Sequence, residues 1–254
     1  MAAHTGTRRM GICGCLVALL VCGCSTLTLT GPESLPPLRT YEAVVTDPGP
    51  HLLEVDDPIE GFNRGTYRFN YYFDEYLYHP VVRAYEIALP DFVKDRISDA
   101  LDNIGEFMNL TNNLFQTKFK DAGITVSRFV INSTAGIGGL WDPATGWGLT
   151  RKPADFGQTL GHYGVGGGPY LTLPALGPSN VRDTAGLAAD SATLTFIGPV
   201  AWINQTVVSA TLGGISVLDK RHRIPFRYHQ TGSPFEYDLL RMLYTIKREY
   251  DVAN

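Results

Sequence analysis

Asp57-Pro58-Ile59-Glu60-Gly61-Phe62-Asn63-Arg64-Gly65-Thr66-Tyr67-Arg68-Phe69-Asn70-Tyr71-Tyr72-Phe73 is the stretch from which the fold class follows. Asp57 suits a helix N-cap, Pro58 the first helical position and Glu60 the third, so the quartet has the form of a capping box. Ile59, Phe62, Thr66, Phe69 and Phe73 then recur at helical spacing, which predicts one continuous helical face. Tyr67, Tyr71, Tyr72 and Tyr76 widen that stripe until little of the surface is purely polar. A helix apolar or aromatic most of the way round is buried in protein or immersed in lipid. Phe62, Phe69 and Phe73 are the aromatics expected to face lipid.

Downstream, His79-Pro80 is expected to break this helix. A second helix is predicted from Pro80 and a third after Pro90, carrying Val93, Ile97, Leu101, Ile104, Met108 and Leu114. Asp121 opens a fourth, with Ile124, Phe129, Val130 and Ile131. Between 180 and 220 two or three shorter helices are expected, broken at Pro199 and at Gly213-Gly214. Ser233-Pro234-Phe235-Glu236 repeats the entry device, and Leu239, Leu240, Leu243 and Ile246 line one face of the helix that follows. Strand alternation is scarce. The prediction is a mainly α fold, a single helical domain over 55–251.

Upstream, residues 25–56 are rich in Pro, Thr, Ser and Gly with no period, the composition of a flexible tether. Residues 11–25 follow Arg8 and Arg9 and form a short apolar run ending in Val21-Cys22-Gly23-Cys24. A basic start, a short apolar core and small residues at the end make a secretory signal, predicted over 1–23. The run is too short for a spanning helix, which needs ~20 apolar residues. A small residue directly before a cysteine resembles the bacterial lipobox, so Cys24 is expected to be the lipidated mature N-terminus. Cleavage there would remove two of the 21 basic residues and none of the 25 acidic ones. The resulting acidic excess disfavours nucleic acid as a partner. It also disfavours attachment to anionic lipid by charge, leaving the anchor and apolar surface to hold the protein on a membrane.

Residues 129–149 carry one charge, Asp142, within an otherwise uncharged and largely apolar run. Gly136, Gly138, Gly139, Gly146, Gly148 and Pro143 argue against one continuous spanning helix, because irregular backbone at membrane depth needs protein or water to satisfy it. An apolar hairpin or re-entrant loop turning at Asp142-Pro143 is expected, flanked by Trp141 and Trp147, since tryptophan favours membrane interfaces. Ile137, Leu140, Trp141, Trp147 and Leu149 are its candidate membrane-contact and gating residues. An ordinary buried loop is the other reading of the same stretch.

Several stretches together resemble the VacJ/MlaA family of outer-membrane lipoproteins. They are Asp57-Pro58-Ile59-Glu60-Gly61-Phe62-Asn63-Arg64, Tyr67-Arg68-Phe69-Asn70 and Arg128-Phe129-Val130-Ile131-Asn132-Ser133-Thr134. Further along come Asp155-Phe156-Gly157-Gln158-Thr159-Leu160-Gly161-His162-Tyr163-Gly164 and Gly177-Pro178-Ser179-Asn180-Val181-Arg182-Asp183. The resemblance covers about 55–220 and is vaguer beyond. It implies a ring-shaped helical body in the inner leaflet of the outer membrane of a Gram-negative bacterium, with an amphipathic channel and a membrane-embedded hairpin. It further implies removal of mislocalised phospholipid from the outer leaflet, delivery to a soluble periplasmic lipid carrier, and association with trimeric porins. Lipid asymmetry would be maintained with no cofactor and no chemical step. Ser25 after the anchor resembles the pattern of lipoproteins sorted to the outer membrane.

Other motifs are weak. The glycines of 161–168 lack the Lys-Ser/Thr of a phosphate loop, and close backbone packing accounts for them better. No Gly-x-Ser-x-Gly elbow and no His-Glu-x-x-His spacing occur in the mature chain, so no catalytic and no metal-ligating residue is predicted. His162 is read as structural rather than as a base, and Arg182-Asp183 as an ion pair at a helix start, with a lumen-facing charge pair as the other reading. Two rival functions share the signal and anchor: a structural lipoprotein scaffolding porins or envelope assembly, and a lipid hydrolase.

Overall fold

The computed structural model describes residues 55–198 and 206–254. The signal, Cys24, nearly all of the tether and Pro199 lie outside the described residues. The order along the chain is α1 (Glu60–Phe73), α2 (His79–Ala88), α3 (Asp91–Phe115), α4 (Phe119–Thr134), α5 (Pro143–Gly146) and α6 (Phe156–His162). A hairpin of β1 (Tyr170–Leu173) and β2 (Gly177–Asn180) follows, then α7 (Val181–Phe196), α8 (Thr206–Arg223) and α9 (Glu236–Ala253). The fold is mainly helical, as its apolar periodicity predicts.

Four local expectations need correction. Asp57 does not cap α1: the N-cap is Ile59, with no side-chain bond. The Asp57 carboxylate instead accepts from Asn63 (2.6 Å), Tyr237 (2.5 Å) and Arg241 (3.1 Å). Ser233 likewise does not cap α9, whose N-cap is Phe235, and Glu236 binds loop and helix groups rather than closing a capping box. His79-Pro80 does not break the chain's helical course, because a π-helical turn over Asp74–Tyr78 joins α1 to α2 and the His79 N–H reaches back to the Asp74 carbonyl. The wider turn accommodates a proline that lacks an N–H and would clash one turn back in an unbroken α-helix. Gly213-Gly214 lies inside α8 without interrupting it.

The β-hairpin is absent from the sequence-based prediction. Its strands are only four residues each, antiparallel, with Tyr170 opposite Asn180 and Leu173 opposite Gly177. Ala175 (φ 62°) and Gly177 (φ 91°) turn the chain between them. Two turns of α1 then bind the hairpin's backbone through asparagines. Asn63 donates to the Tyr170 carbonyl (3.0 Å) and accepts from the Thr172 N–H (2.8 Å). Asn70 donates to the Leu173 carbonyl (2.9 Å) and accepts from the Ala175 N–H (2.7 Å). An amide carries both donor and acceptor, so each asparagine mimics a neighbouring strand.

Three tyrosines, Tyr67, Tyr170 and Tyr237, form a buried cluster, with Val55, Tyr228, Leu240 and Tyr244 packed against it. Tyr67 meets Tyr237 edge to face at 5.7 Å, and Tyr170 meets Tyr237 at 6.1 Å, the geometry that aromatic quadrupoles favour. Behind it α6 and α7 cross closely. A Cβ on Gly186 would overlap the Gly157 amide nitrogen.

Candidate functional site

Helix α1 buries Asn63, Thr66, Tyr67 and Asn70 and exposes Ile59, Phe62 and Phe69. Helix α3 buries Asn103, Glu106, Asn109, Asn112 and Asn113, together with Lys94 near its start. Helix α4 buries Ala122, Thr125, Arg128 and Asn132, while Phe119, Val126, Phe129 and Val130 are exposed. Residues three or four apart share a helix face, so in each helix the most buried stripe is polar. In α1 and α4 other faces carry exposed apolar residues, whereas along α3 the apolar residues from Val93 to Leu110 are half-buried and only Phe92, Leu114 and Phe115, near its ends, are exposed. The fully buried apolar residues among those described reduce to three tyrosines, Val82 and three alanines. A water-soluble helix does the reverse. Buried polar and exposed large apolar side chains are the informative exceptions to ordinary burial.

The polar interior is held by Arg128, which is only 2 % exposed. Its guanidinium donates to Glu106 (2.7 Å) on α3 and Asp142 (2.9 Å) before α5, and to the Thr145 hydroxyl (2.8 Å) and the Leu149 carbonyl (2.6 Å). Glu106 also accepts from Asn109 (3.0 Å). Asp142 accepts from Asn132 (2.9 Å) and caps α5 through the Thr145 N–H (3.0 Å). Burial raises the pKa of Asp142, but the Thr145, Arg128 and Asn132 hydrogen bonds outweigh it and hold it at about 2. Farther along, Gln116 donates to Thr159 (3.1 Å), whose hydroxyl meets Asn112 (3.0 Å), and Asn112 reaches Asp190 (3.0 Å). Asn109 and Asn132 each accept from an otherwise unpaired backbone N–H, those of Ala154 and Ala144. Such groups are expensive to bury unsatisfied.

The expected hairpin reverses earlier than Asp142-Pro143. The chain turns at Ile137, Gly138 and Gly139, with φ of 52°, 70° and 92°. That left-handed region is costly for a β-branched residue such as Ile137. A Cβ on Gly139 would strike the Asn103 side chain at 2.5 Å, which is why glycine stands there. Asp142-Pro143 makes a second bend, the start of α5. Ile137 (65 % exposed) and Trp147 (66 % exposed) project most, Leu140 and Trp141 less, and Leu149 is half-buried. The segment is mixed: Ala144 is enclosed, whereas Ile137 and Trp147 stand out. Trp141 is held by the Arg96 guanidinium, 5.1 Å from its ring centroid. No helix among the described residues is long and apolar enough to cross a membrane.

Phe62 and Phe69 line an open groove of about 370 Å³ with Gly61, Gly65 and Pro174. Phe73 is half-buried and stacks on Phe69 at 5.6 Å. The structure thus gathers the α1 phenylalanines on one face and the 137–147 residues on a separate segment held by α4. His162 is exposed, with Tyr163 edge-on to its ring. Arg182 and Asp183 do pair at the start of α7 (3.0 Å), where Asn180 supplies the cap. Arg128, Asn132 and the α3 amides escaped sequence reasoning. Their signal was present as a polar i, i+3, i+4 series opposite each apolar stripe.

A family model described as MlaA lipoprotein matches residues 55–251. An uncharacterized protein of Rickettsia prowazekii (strain Madrid E) is 40% identical over 131 residues, 52% of either chain. The intermembrane phospholipid transport system lipoprotein MlaA of Escherichia coli (strain K12) is 36% identical over 168 residues, 63% of this chain and 64% of that one. The chain thus spans between about half and two thirds of the length of these relatives. A solved structure, from work on the structural basis for maintenance of bacterial outer membrane lipid asymmetry, is similar with a TM-score of 0.64 and 28% sequence identity. That similarity covers 78% of this chain and 100% of the other.

Proposed function

The chain belongs to the MlaA lipoprotein family, and from that premise we propose that it removes mislocalised phospholipid from the outer leaflet of the outer membrane. It passes the lipid to a soluble periplasmic carrier and so maintains lipid asymmetry. The observation that carries this reading is the inversion of α1 and α4, whose polar faces are buried and whose apolar faces are exposed, packed with an α3 whose buried face is likewise polar. Exposed phenylalanines, Ile137 and Trp147 are costly in water and favourable among acyl chains. A buried polar interior lowers the cost of taking a charged head group out of water.

In this reading Cys24 is the lipid anchor, residues 25–56 are the tether, and the body is a ring around an amphipathic channel lying in the inner leaflet. The 137–149 segment controls access to the channel, Phe62, Phe69 and Phe73 face lipid, and trimeric porins hold the body in place. No bond is made or broken. Direction comes from partners or from the lipid gradient.

The test is outer-leaflet phospholipid in cells lacking the gene, complemented with wild type or with Leu140→Asp. Leu140 is exposed, so the substitution leaves the fold and lipidation intact. Phospholipid is expected to accumulate on deletion, fall with wild type and stay high with the variant. Unchanged phospholipid on deletion, with no redundant system present, would replace this reading with a scaffold for porins or envelope assembly.

A further inference from the structure

A cavity of about 430 Å³ opens where the end of α3, the segment 151–155, α6 and the last turns of α9 meet. That is ample for a small polar ligand. Its two arginines are committed to the fold. Arg248 clamps Asp155 (2.7 and 2.9 Å) and Asp183 (2.7 and 3.0 Å), and Arg151 pairs with Asp102 (2.7 Å). The three lysines on its wall are held differently. Lys152 reaches Asp121 only at 3.5 Å, and Lys247, largely exposed, has Asp251 on its own helix as partner. Lys118 has no ion-pair partner among the described residues. Its place is nonetheless fixed, because Thr117 turns the chain at φ 57° and the Lys118 N–H bonds the Asn113 carbonyl at 2.9 Å. The wall therefore combines rigid arginines with lysines whose flexible stems can re-aim.

The chain beside the cavity adds a second observation. Leu114, Phe115 and Phe119, next in sequence to the lining residues Asn113, Gln116 and Lys118, are all exposed. A cationic polar cavity adjoined by exposed apolar side chains has the two-sided character of an amphiphile's binding site.

We propose that this cavity recognises the zwitterionic head group of a phosphoethanolamine lipid, with Lys118 and Lys152 taking the phosphate and Asp251 the ammonium. The assignment rests on the lipid-transport reading and adds to it the class of head group and its site. The charges exchange one for one: Lys247 swings from Asp251 to join Lys118 and Lys152 on the phosphate, and the carboxylate it leaves meets the ligand's ammonium. A purely anionic head group would leave Asp251 with only Arg248, 3.8 Å away and already bound to Asp155 and Asp183, a poorer match that costs more the drier the site becomes.

The test uses the purified full chain in maltoside detergent, titrated with dihexanoylphosphatidylethanolamine, dihexanoylphosphatidylglycerol and inorganic phosphate. Wild type is expected to bind the ethanolamine lipid most tightly. Lys118→Gln should weaken binding of both lipids about tenfold, the worth of one charge-assisted hydrogen bond. Asp251→Asn should weaken only the ethanolamine lipid and so erase the preference. Circular dichroism verifies that both variants fold. Inorganic phosphate binding as tightly as the ethanolamine lipid, or Lys118→Gln leaving both affinities unchanged, would overturn the proposal. The two readings fail separately. Absent head-group binding removes the cavity assignment and leaves transport standing, whereas unchanged outer-leaflet phospholipid on gene deletion removes transport and leaves head-group binding measurable.

Discussion

The α3–α4 pair and the tyrosine cluster beneath α9 bury their contacts by opposite chemistry. Between α3 and α4 the most buried residues are chiefly amides, a threonine and a fully enclosed Arg128–Glu106 ion pair, while Phe119, Val126, Phe129 and Val130 of α4 face out. Beneath α9 three aromatic rings pack edge to face, and only their hydroxyls carry the polar links, Tyr67 to Glu236 (2.7 Å) and Tyr237 to Asp57 (2.5 Å). The first arrangement gains little from the hydrophobic effect and depends on hydrogen bonds and close packing, as helices in lipid do. The second is a small aromatic core of the kind water drives together. One chain therefore carries a part held by buried polar contacts beneath exposed apolar side chains and a part packed as a small aromatic core.

Arg128→Met would break the comparison most severely. It strips Glu106 of its buried partner, and a loss of about 3–5 kcal/mol in unfolding free energy is expected. The double variant Arg128→Met/Glu106→Leu should recover much of it, because replacing a buried ion pair by apolar groups is often neutral. A double variant as unstable as the single one would show that Asp142, Thr145 and Leu149, not Glu106, are what Arg128 is needed for. Asn132→Leu comes next. It leaves the Ala144 N–H unpaired and one donor short at Asp142, for about 1–3 kcal/mol by chemical denaturation.

In the aromatic region Tyr67→Phe keeps the ring and loses one hydroxyl bond. Glu236 retains Thr231 and the His229 and Thr231 N–H groups, so the cost should be only about 1 kcal/mol. A cost equal to that of Arg128→Met would erase the distinction between the two regions.

The smallest effects are in acid. For Glu236, burial pushes the carboxyl up, but bonds from Thr231, Tyr67 and the His229 N–H bring it below its ordinary 4.5. Asp142 falls from 3.8 to about 2. A carboxyl depressed in the folded state binds fewer protons there than in the unfolded chain, so its stabilisation is complete at higher pH and is lost on acidification. Thermal melts should therefore fall as pH drops below 4.5. Asp142→Asn should flatten the part of that decline between 3.8 and about 2, and Glu236→Gln the part that begins at 4.5. Unchanged slopes in both variants would remove these carboxylates from the acid response.

Much of the fold was legible in sequence. The helices from α1 through α4 and α9 follow their apolar spacing, and Arg182-Asp183 stands at a helix start as its residues suggest. The β-hairpin was not legible, because four-residue strands carry too little alternation to register and rest on Asn63 and Asn70 from a distant helix. The α1–α2 junction was misread because a proline announces a missing donor, not the π turn that absorbs it. Residues 137–149 were legible as apolar and glycine-rich, but their turn was placed at the proline when three left-handed residues make it earlier. Arg128 was quoted in a motif without its role, since Glu106 and Asp142 are 22 and 14 residues away in sequence.

The sequence by itself determined where helices α1 to α4 and α9 form and that each carries an apolar and a polar stripe. Only the tertiary structure decided which stripe faces inward. A 3.6-residue period defines both faces equally and is unchanged when inside and outside are exchanged. What breaks that symmetry is long-range pairing. Once Arg128 meets Glu106 and Asp142, and Asn63 and Asn70 meet the hairpin backbone, the polar faces are inside, and Phe62, Phe69, Phe119 and Phe129 are left outside.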